Sequence, residues 1–301
     1  MMLIHRVTEE EAGLTLHQLL RGPMALSGVQ TKKAKAQGAV TVDAAPFFSN
    51  QTVSTGMIVR VELDGYAPAH TPQTSGAPLE VVYEDDALLA VFKPALLQCH
   101  PSPSAPRGSD TLESRVSAYL GAPAHPVHRL DSETTGLVLF ARIPYAQAHL
   151  QQQMHRGTFC KTYEAWLLHV PLPSAGEIDA PIAREHPDSF TRIVSPNGQR
   201  AVSRYCTLDT APLSGGLTAA RLRLLPITGR THQLRVHMAH IGCPLLGDTR
   251  YGTPESQAAS CALGLTYHQL SAVSLSFLHP LDGRPLTLTH PAVFSFHPVS
   301  P

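Results

Sequence analysis

The sequence predicts an α+β fold, with a mixed, largely antiparallel central sheet flanked by helices and preceded by a small α+β module. Three observations lead there. Strand-like stretches are many, some alternating apolar and polar residues as half-buried strands do and others apolar throughout. Helix-like stretches are short and scattered, with no internal repeat or heptad array, which favours one mixed-sheet domain over a bundle. Residues 64–78 are rich in proline, glycine and small polar side chains and keep no apolar period, so they read as a linker between units at 1–63 and 79–301.

In the first unit Leu14, Leu16, Leu19 and Leu20 surround one helix, and residues 29–37, with Lys32, Lys33 and Lys35, form a second. Gly38 stands where such a helix stops. A short strand over 39–42, a turn at 43–46 and a strand over 57–63 complete it. The last alternates Ile58, Arg60, Glu62 with Val59, Val61, Leu63.

The second unit opens with strands over 79–83 and 88–92, separated by the acidic turn Glu84-Asp85-Asp86, and continues into a proline-rich loop over 94–106. The apolar run 137–141 reads as a strand buried on both faces. Residues 144–156 space Ala146, Leu150 and Met154 as one helical face before Gly157. A strand over 159–168 puts Lys161, Tyr163, Ala165 and Leu167 on one side, and a strand over 220–225 alternates Arg221 and Arg223 with leucines. Leu234, Met238 and Ile241 mark a helix that Thr231 can cap and that Gly242 and Pro244 end.

Composition narrows the function classes. With 43% hydrophobic and 15% charged residues among 301, the bulk of the chain cannot be disordered. No apolar run is long enough to span a bilayer, and Met-Met-Leu-Ile-His-Arg carries no secretory core, so a cytoplasmic protein without membrane partners is expected. Five scattered cysteines, without a Cys-x-x-Cys pair, fit free thiols in a reducing compartment. Basic and acidic residues balance at 23 each, which argues against bulk attraction of polyanions while leaving room for a local basic groove.

Three segments carry chemistry. His128-Arg129-Leu130-Asp131-Ser132-Glu133-Thr134-Thr135-Gly136 places a carboxylate, Asp131, on a loop just before the buried strand, where it is a nucleophile or base, or one half of a surface pair. Gly229-Arg230-Thr231-His232-Gln233-Leu234-Arg235-Val236-His237-Met238-Ala239-His240-Ile241-Gly242 leads into a helix with Arg235 at the edge of its buried face, a position that usually has a carboxylate or phosphate partner. Arg221, Arg223, Arg230, Arg235 and Arg250 face a single acid, Asp248, between 220 and 250. His237 and His240 share a face, but no acidic or cysteine ligand adjoins them, so no metal is expected. In Lys161-Thr162-Tyr163 the tyrosine offers a flat surface for a base, or the pair is a plain cross-strand contact.

Together these segments resemble the RluA family of RNA pseudouridine synthases. Residues 128–137 are similar to the family's signature around its catalytic aspartate, and 229–242, with Gly247-Asp248 and Tyr251-Gly252, to its arginine-bearing motif. Phe92-Lys93-Pro94-Ala95 with His100-Pro101-Ser102 resembles the early lysine-proline stretch. Tyr163 falls 32 residues beyond Asp131, where the family has its active-site tyrosine. The match runs from about 79 to 290. One departure is Leu270-Ser271-Ala272, where the family commonly has a central histidine. The N-terminal unit looks like a degenerate α-L RNA-binding domain, named after ribosomal protein S-four: the echo lies in residues 38–43 and 56–59, while Ser27-Gly28, Asp43 and Gly56-Met57 depart from it.

The resemblance implies isomerisation of specific uridines in RNA, without cofactor or metal. Ribosomal large-subunit RNA is the favoured partner and transfer RNA the alternative. It implies catalytic roles for Asp131, Tyr163 and Arg235: attack on the nucleoside, packing on uracil with help in removing the C5 proton, and pairing with Asp131. Arg129 is expected to fill the place of the everted nucleotide or hold a phosphate, and His128, Lys161, Arg221, Arg223, Arg230 and His232 to contact RNA. A non-catalytic RNA-binding protein would not need Asp131, Tyr163 and Arg235 together, and a glycosidase would use paired carboxylates.

Overall fold

The computed structural model describes residues 2–24, 26, 28–62, 77–101 and 109–298. The N-terminal unit contains β1 (Met2–Arg6), α1 (Leu16–Arg21), α2 (Gly28–Ala36), β2 (Val40–Val42), β3 (Ala45–Pro46) and β4 (Ile58–Glu62), its strands ordered β1-β4-β2-β3. Thr15 and Gln18 start α1 with a reciprocal capping box, and Gly38 ends the second helix at φ 65°. Strand β1 is an addition to the expected elements. It buries Leu3 while Met2 and Ile4 face outward, so three consecutive apolar residues hide its alternation. Of the expected linker, residues 64–76 lie outside the described residues, as do residues 102–106 of the proline-rich loop.

The larger unit runs β5 (Glu80–Glu84), β6 (Leu88–Lys93), α3 (Leu112–Leu120), β7 (His125–Pro126), β8 (Thr135–Ala141), α4 (Pro144–Arg156), β9 (Cys160–Leu168), β10 (Ala175–Asp179), β11 (Ile182–Arg184), β12 (Arg192–Val194), β13 (Val202–Pro212), β14 (Thr218–Pro226), α5 (Gln233–His240), α6 (Pro254–Ala262), β15 (Leu270–Leu278) and β16 (Pro285–Thr289). The acidic turn between β5 and β6 has a clear cause. Asp85 Oδ1 accepts the Ala87 and Leu88 amides, each at 2.8 Å.

Ten strands form one sheet in the order β10-β13-β14-β9-β15-β8-β6-β5, with β16 beside β15 and β7 beside β8, while β11 and β12 pair separately. All ladders are antiparallel except β8 with β15, where Thr135 faces Ser271 and Gly136 faces Ala272. This is the α+β class that the sequence predicts. Gly136 is required at that junction: its φ is 112°, and a Cβ there would strike the Ala272 backbone.

Strand β8 is buried along its whole length. Leu137, Leu139 and Ala141 join one core with Tyr145, Ala146 and Leu150 of α4. Val138 and Phe140 join a second with Tyr163, Leu222, Leu224, Leu234 and Met238. Each buried leucine, valine or phenylalanine of β8 contributes about 1.5–3 kcal/mol, so the strand is a stiff support for the loop that precedes it. The expected cap at Thr231 is corrected: α5 starts at Gln233, and the N-cap is His232 in left-handed backbone, φ 57°, with no side-chain capping bond.

Among the described residues no helix is long and apolar enough to cross a membrane, and no cluster of three or more histidines, cysteines or carboxylates suits a metal. All five cysteines are free. His237 spends both ring nitrogens inside the core, on Ser203 Oγ and the Ala180 carbonyl, each at 2.9 Å.

Candidate active site

Asp131 sits in the loop between β7 and β8, which is tied down on several sides. Leu130 is buried, and its backbone exchanges hydrogen bonds with the Cys99 thiol at 3.2 and 3.3 Å. The Thr134 amide donates to the Asp131 carbonyl at 3.1 Å. Lys93, at the end of β6 and without exposure to solvent, donates to the carbonyls of Pro94, Leu97 and Ser132 at 2.8, 2.8 and 2.7 Å. Its three N–H groups are thereby used on backbone, and burial pulls its pKa down to about 8. Glu133 reaches His268 Nδ1 at 2.9 Å, and Thr134 Oγ1 reaches Nε2 of the same ring at 2.8 Å. The hydrogen bond to His268 holds Glu133 below the usual carboxylate range.

A cavity of about 350 Å³ opens above this loop, within the size range of ligand pockets. Asp131 and Tyr163 both line it. Strand order explains the meeting, because β15 lies between β8 and β9 and sets Ala272 beside both Gly136 and Tyr163. Burial, then the negative charge of Asp131, push the Tyr163 hydroxyl far above its ordinary pKa, so it stays protonated.

Arg235 enters from the first turn of α5 and is 6% exposed. Nη1 donates to Asp131 Oδ2 at 3.2 Å, while Nε and Nη2 fork onto the Asp248 carboxylate at 2.7 and 2.8 Å. Tyr251 lies under the guanidinium, 5.0 Å from its ring centre. Burial works against the charge of Arg235, but the Asp248 hydrogen bond and the two carboxylate charges outweigh it and raise its pKa. Asp248, 2% exposed, is held below the carboxylate range by Arg235 against the opposing effect of burial. The tight turn that delivers Asp248 needs Gly247 at φ 79°, where a Cβ would meet the Tyr267 carbonyl.

His232 also faces this carboxylate, with Nε2 3.8 Å from Asp131 Oδ2, and its Nδ1 meets the Tyr251 hydroxyl at 2.7 Å. Burial lowers its pKa to about 4, with Asp131 pulling upward and Arg235, Arg250 and Arg192 downward, so the ring is neutral at neutral pH. Arg129, Lys161 and Arg230 line the same cavity. Desolvation lowers the pKa of Lys161.

Three expected contacts do not join the cavity. Alternation along β14 sets Leu222 and Leu224 in the core with Tyr163, so Arg221 and Arg223 point from the opposite face of the sheet. There Arg221 lies 3.9 Å from both Glu164 and Asp209. His128 turns inward, where its Nε2 accepts the Leu139 amide at 3.3 Å and its ring meets Phe159 edge-on. Glu133, with Asp131 the candidate carboxylate pair of a glycosidase, is instead spent on His268, and no local pattern assigns Asp248, Tyr251, His268 or Lys93 to the site. The available signal was Lys93-Pro94 and the Gly247-Asp248 and Tyr251-Gly252 pairs, but no spacing rule reveals that Asp248 and Tyr251 embrace Arg235.

A family model described as RNA pseudouridylate synthase matches residues 87–240. The chain is 34% identical over 297 residues to the ribosomal large subunit pseudouridine synthase D of Nitrosomonas europaea, covering 95% of this chain and 83% of that one. It is 31% identical over 290 residues to an uncharacterized RNA pseudouridine synthase of Mycobacterium tuberculosis, covering 93% and 91%. Among solved structures, human RNA pseudouridylate synthase domain containing 4 is similar, with a TM-score of 0.56 and 29% identity over 71% of this chain and 88% of that one.

Proposed function

This chain belongs to the RNA pseudouridylate synthase family, and on that premise we propose that it converts uridines of large-subunit ribosomal RNA to pseudouridine, with Asp131 as the catalytic carboxylate. The enzyme is an isomerase. The reaction breaks the N1–C1′ bond of a uridine, leaves the electron pair on uracil, turns the base and forms a C5–C1′ bond. C5 then loses its proton and N1 gains one, so the atoms balance without a co-reactant.

The observation that carries the reading is the Arg235–Asp131 pair at 3.2 Å inside a cavity that Tyr163 also lines. Arg235 occupies one carboxylate oxygen, Oδ2, and leaves the other for the nucleotide. Addition at C1′, addition at ring C6 and proton abstraction at C2′ all need one free carboxylate oxygen beside the base–sugar bond. Tyr163 packs on the uracil, and its hydroxyl, which keeps its proton, is a hydrogen-bond donor beside the turning base rather than the base that takes the C5 proton. The uridine must leave its helix to reach Asp131, at a cost of a few kcal/mol of stacking. Arg129, Lys161 and Arg230, on the walls of the cavity, hold the backbone on either side of the everted nucleotide. The N-terminal unit, residues 1–63, serves as a separate RNA-docking module, and the enzyme works in the cytoplasm.

The test is to map pseudouridine in ribosomal and transfer RNA from cells with and without the gene, and to assay Asp131→Asn on the RNA that loses the modification. Asp131→Asn should form no product while binding RNA within a few-fold of the unaltered enzyme. Turnover by the variant would remove Asp131 from the mechanism, and loss of the mark from transfer RNA alone would change the substrate.

A further inference from the structure

His232 adopts a backbone conformation that its place at the start of α5 does not require. It sits at φ 57°, ψ 18°, and its side chain makes no capping hydrogen bond. Left-handed backbone costs a residue with a β-carbon about 1–2 kcal/mol. The geometry instead brings the imidazole to the wall of the cavity, with Nε2 near Asp131 and Nδ1 on Tyr251.

Tyr251 can make the two ring nitrogens different. Its hydroxyl oxygen accepts the Arg192 backbone N–H at 3.0 Å and stands 2.7 Å from His232 Nδ1, which leaves the phenol proton free to point at that nitrogen. A neutral imidazole that accepts at Nδ1 carries its proton on Nε2. That N–H lies 3.8 Å from Asp131 Oδ2, beyond hydrogen-bond distance, so the carboxylate does not consume it. The charged and titratable groups around the ring are Asp131, Arg235, Arg250, Arg192 and Tyr251. Burial first, and then the three arginines against the pull of Asp131, keep a further proton off the ring.

We infer that His232 is a further catalytic residue, whose Nε2–H donates to the 2-carbonyl oxygen of the everted uracil, and that Tyr251 is the positioning residue that fixes this tautomer. The inference rests on the reading of the cavity as the place where uracil is detached. As N1–C1′ breaks, the electron pair spreads from N1 onto the ring carbonyls, and O2 is the one beside both N1 and the bond that Asp131 addresses. A neutral donor there stabilises the growing charge without neutralising Asp131. No proton is transferred in this step; the N–H···O hydrogen bond strengthens as the base departs.

Two measurements test it. Nitrogen NMR of the imidazoles in the free full-length protein, with His232→Gln used to assign the signal, should show the proton on Nε2. Tyr251→Phe, which keeps the ring under Arg235, should produce a mixture of tautomers. A proton on Nδ1 in the unaltered protein, or no change on removing the hydroxyl, would overturn the role of Tyr251.

In single-turnover assays at saturating RNA, His232→Leu should be slowed about 100- to 1,000-fold, the loss typical of one such donor. His232→Gln, whose side-chain N–H can stand in for Nε2–H, should recover to within about tenfold of the unaltered enzyme, with an unchanged pH profile because no proton moves. Replacing the target uridine by 2-thiouridine, a poor acceptor, should slow the unaltered enzyme and leave the already slow His232→Leu no slower. Equal loss in Gln and Leu, or a thio effect that survives in His232→Leu, rejects the contact with O2. An unaltered enzyme that makes no pseudouridine in any RNA strikes at the function instead, while the tautomer measurement, which needs no turnover, still judges the Tyr251–His232 pair.

Discussion

Asp248 grips Arg235 with both carboxylate oxygens, at 2.7 and 2.8 Å, and does so almost wholly out of solvent. The guanidinium is planar, so fixing Nε and Nη2 also fixes the direction of Nη1, which is the group that reaches Asp131. Orientation of the candidate nucleophile is thus set 117 positions further along the chain.

Removing either side of this fork should be costly in different ways. Asp248→Asn removes the buried guanidinium's bidentate counter-charge, leaving it only the single contact to Asp131, and should destabilise the fold by up to about 3–5 kcal/mol in urea unfolding. Arg235→Lys keeps a positive charge but cannot bridge both carboxylates. Its pseudouridine yield should fall at least about a hundredfold, with a smaller loss of stability than Asp248→Asn.

Lys93 supports the same loop from beneath. In Lys93→Met the carbonyls of Pro94, Leu97 and Ser132 lose their donor, at about 1–3 kcal/mol for each group that stays buried and unsatisfied. The variant should unfold at lower urea. Because Ser132 follows Asp131, kcat should fall more than KM rises; an unaltered kcat would detach Lys93 from the alignment of Asp131.

Two neutral histidines set an acid limit on stability. Burial and the Lys161 charge lower His128 to about 3, and burial lowers His232 to about 4. Between those values and the ordinary histidine pKa of about 6.5, the unfolded chain binds protons that the native one refuses. Stability is therefore full above about pH 6.5 and falls as pH drops through this window. Each group contributes a slope of up to about 1.4 kcal/mol per pH unit. Urea unfolding from pH 7 to 4 should show the decline, and His128→Gln should make it shallower by about one proton.

The two faces of the sheet should behave differently toward RNA. Lys161→Ala, at the cavity, should weaken binding and reduce the slope of log affinity against log salt by about 0.7–0.9, the effect of one lost phosphate contact. Arg221→Ala, on the far face, should leave the slope within error. A larger effect at Arg221 would mean that RNA wraps across the sheet.

Much of the architecture is legible where local pattern and burial agree. The run 137–141 is apolar throughout because β8 is covered on both sides, and the leucine-rich start and Gly38 stop are visible because the N-terminal helices bury one face. Other elements give weaker signals. Strand β13 mixes Arg204, Thr207, Asp209 and Thr210 into eleven residues because much of it is exposed, and α6, Pro-Glu-Ser-Gln-Ala-Ala-Ser-Cys-Ala, packs through small side chains that form no apolar stripe.

The sequence by itself determined which residue types stand in which motif: an aspartate before a buried strand, a tyrosine on a later strand, an arginine opening a helix. Tertiary structure alone decided how they meet. Insertion of β15 between β8 and β9 closes a distance of 32 residues between Asp131 and Tyr163, and docking of α5 brings Arg235 to a carboxylate 104 residues away. It also decided that Arg221 and Arg223 face away and that Asp248 aims Arg235. The physical reason is that periodicity and capping are local, whereas strand order, and with it the side of the sheet on which a charge emerges, is fixed by burying both faces of the sheet at once.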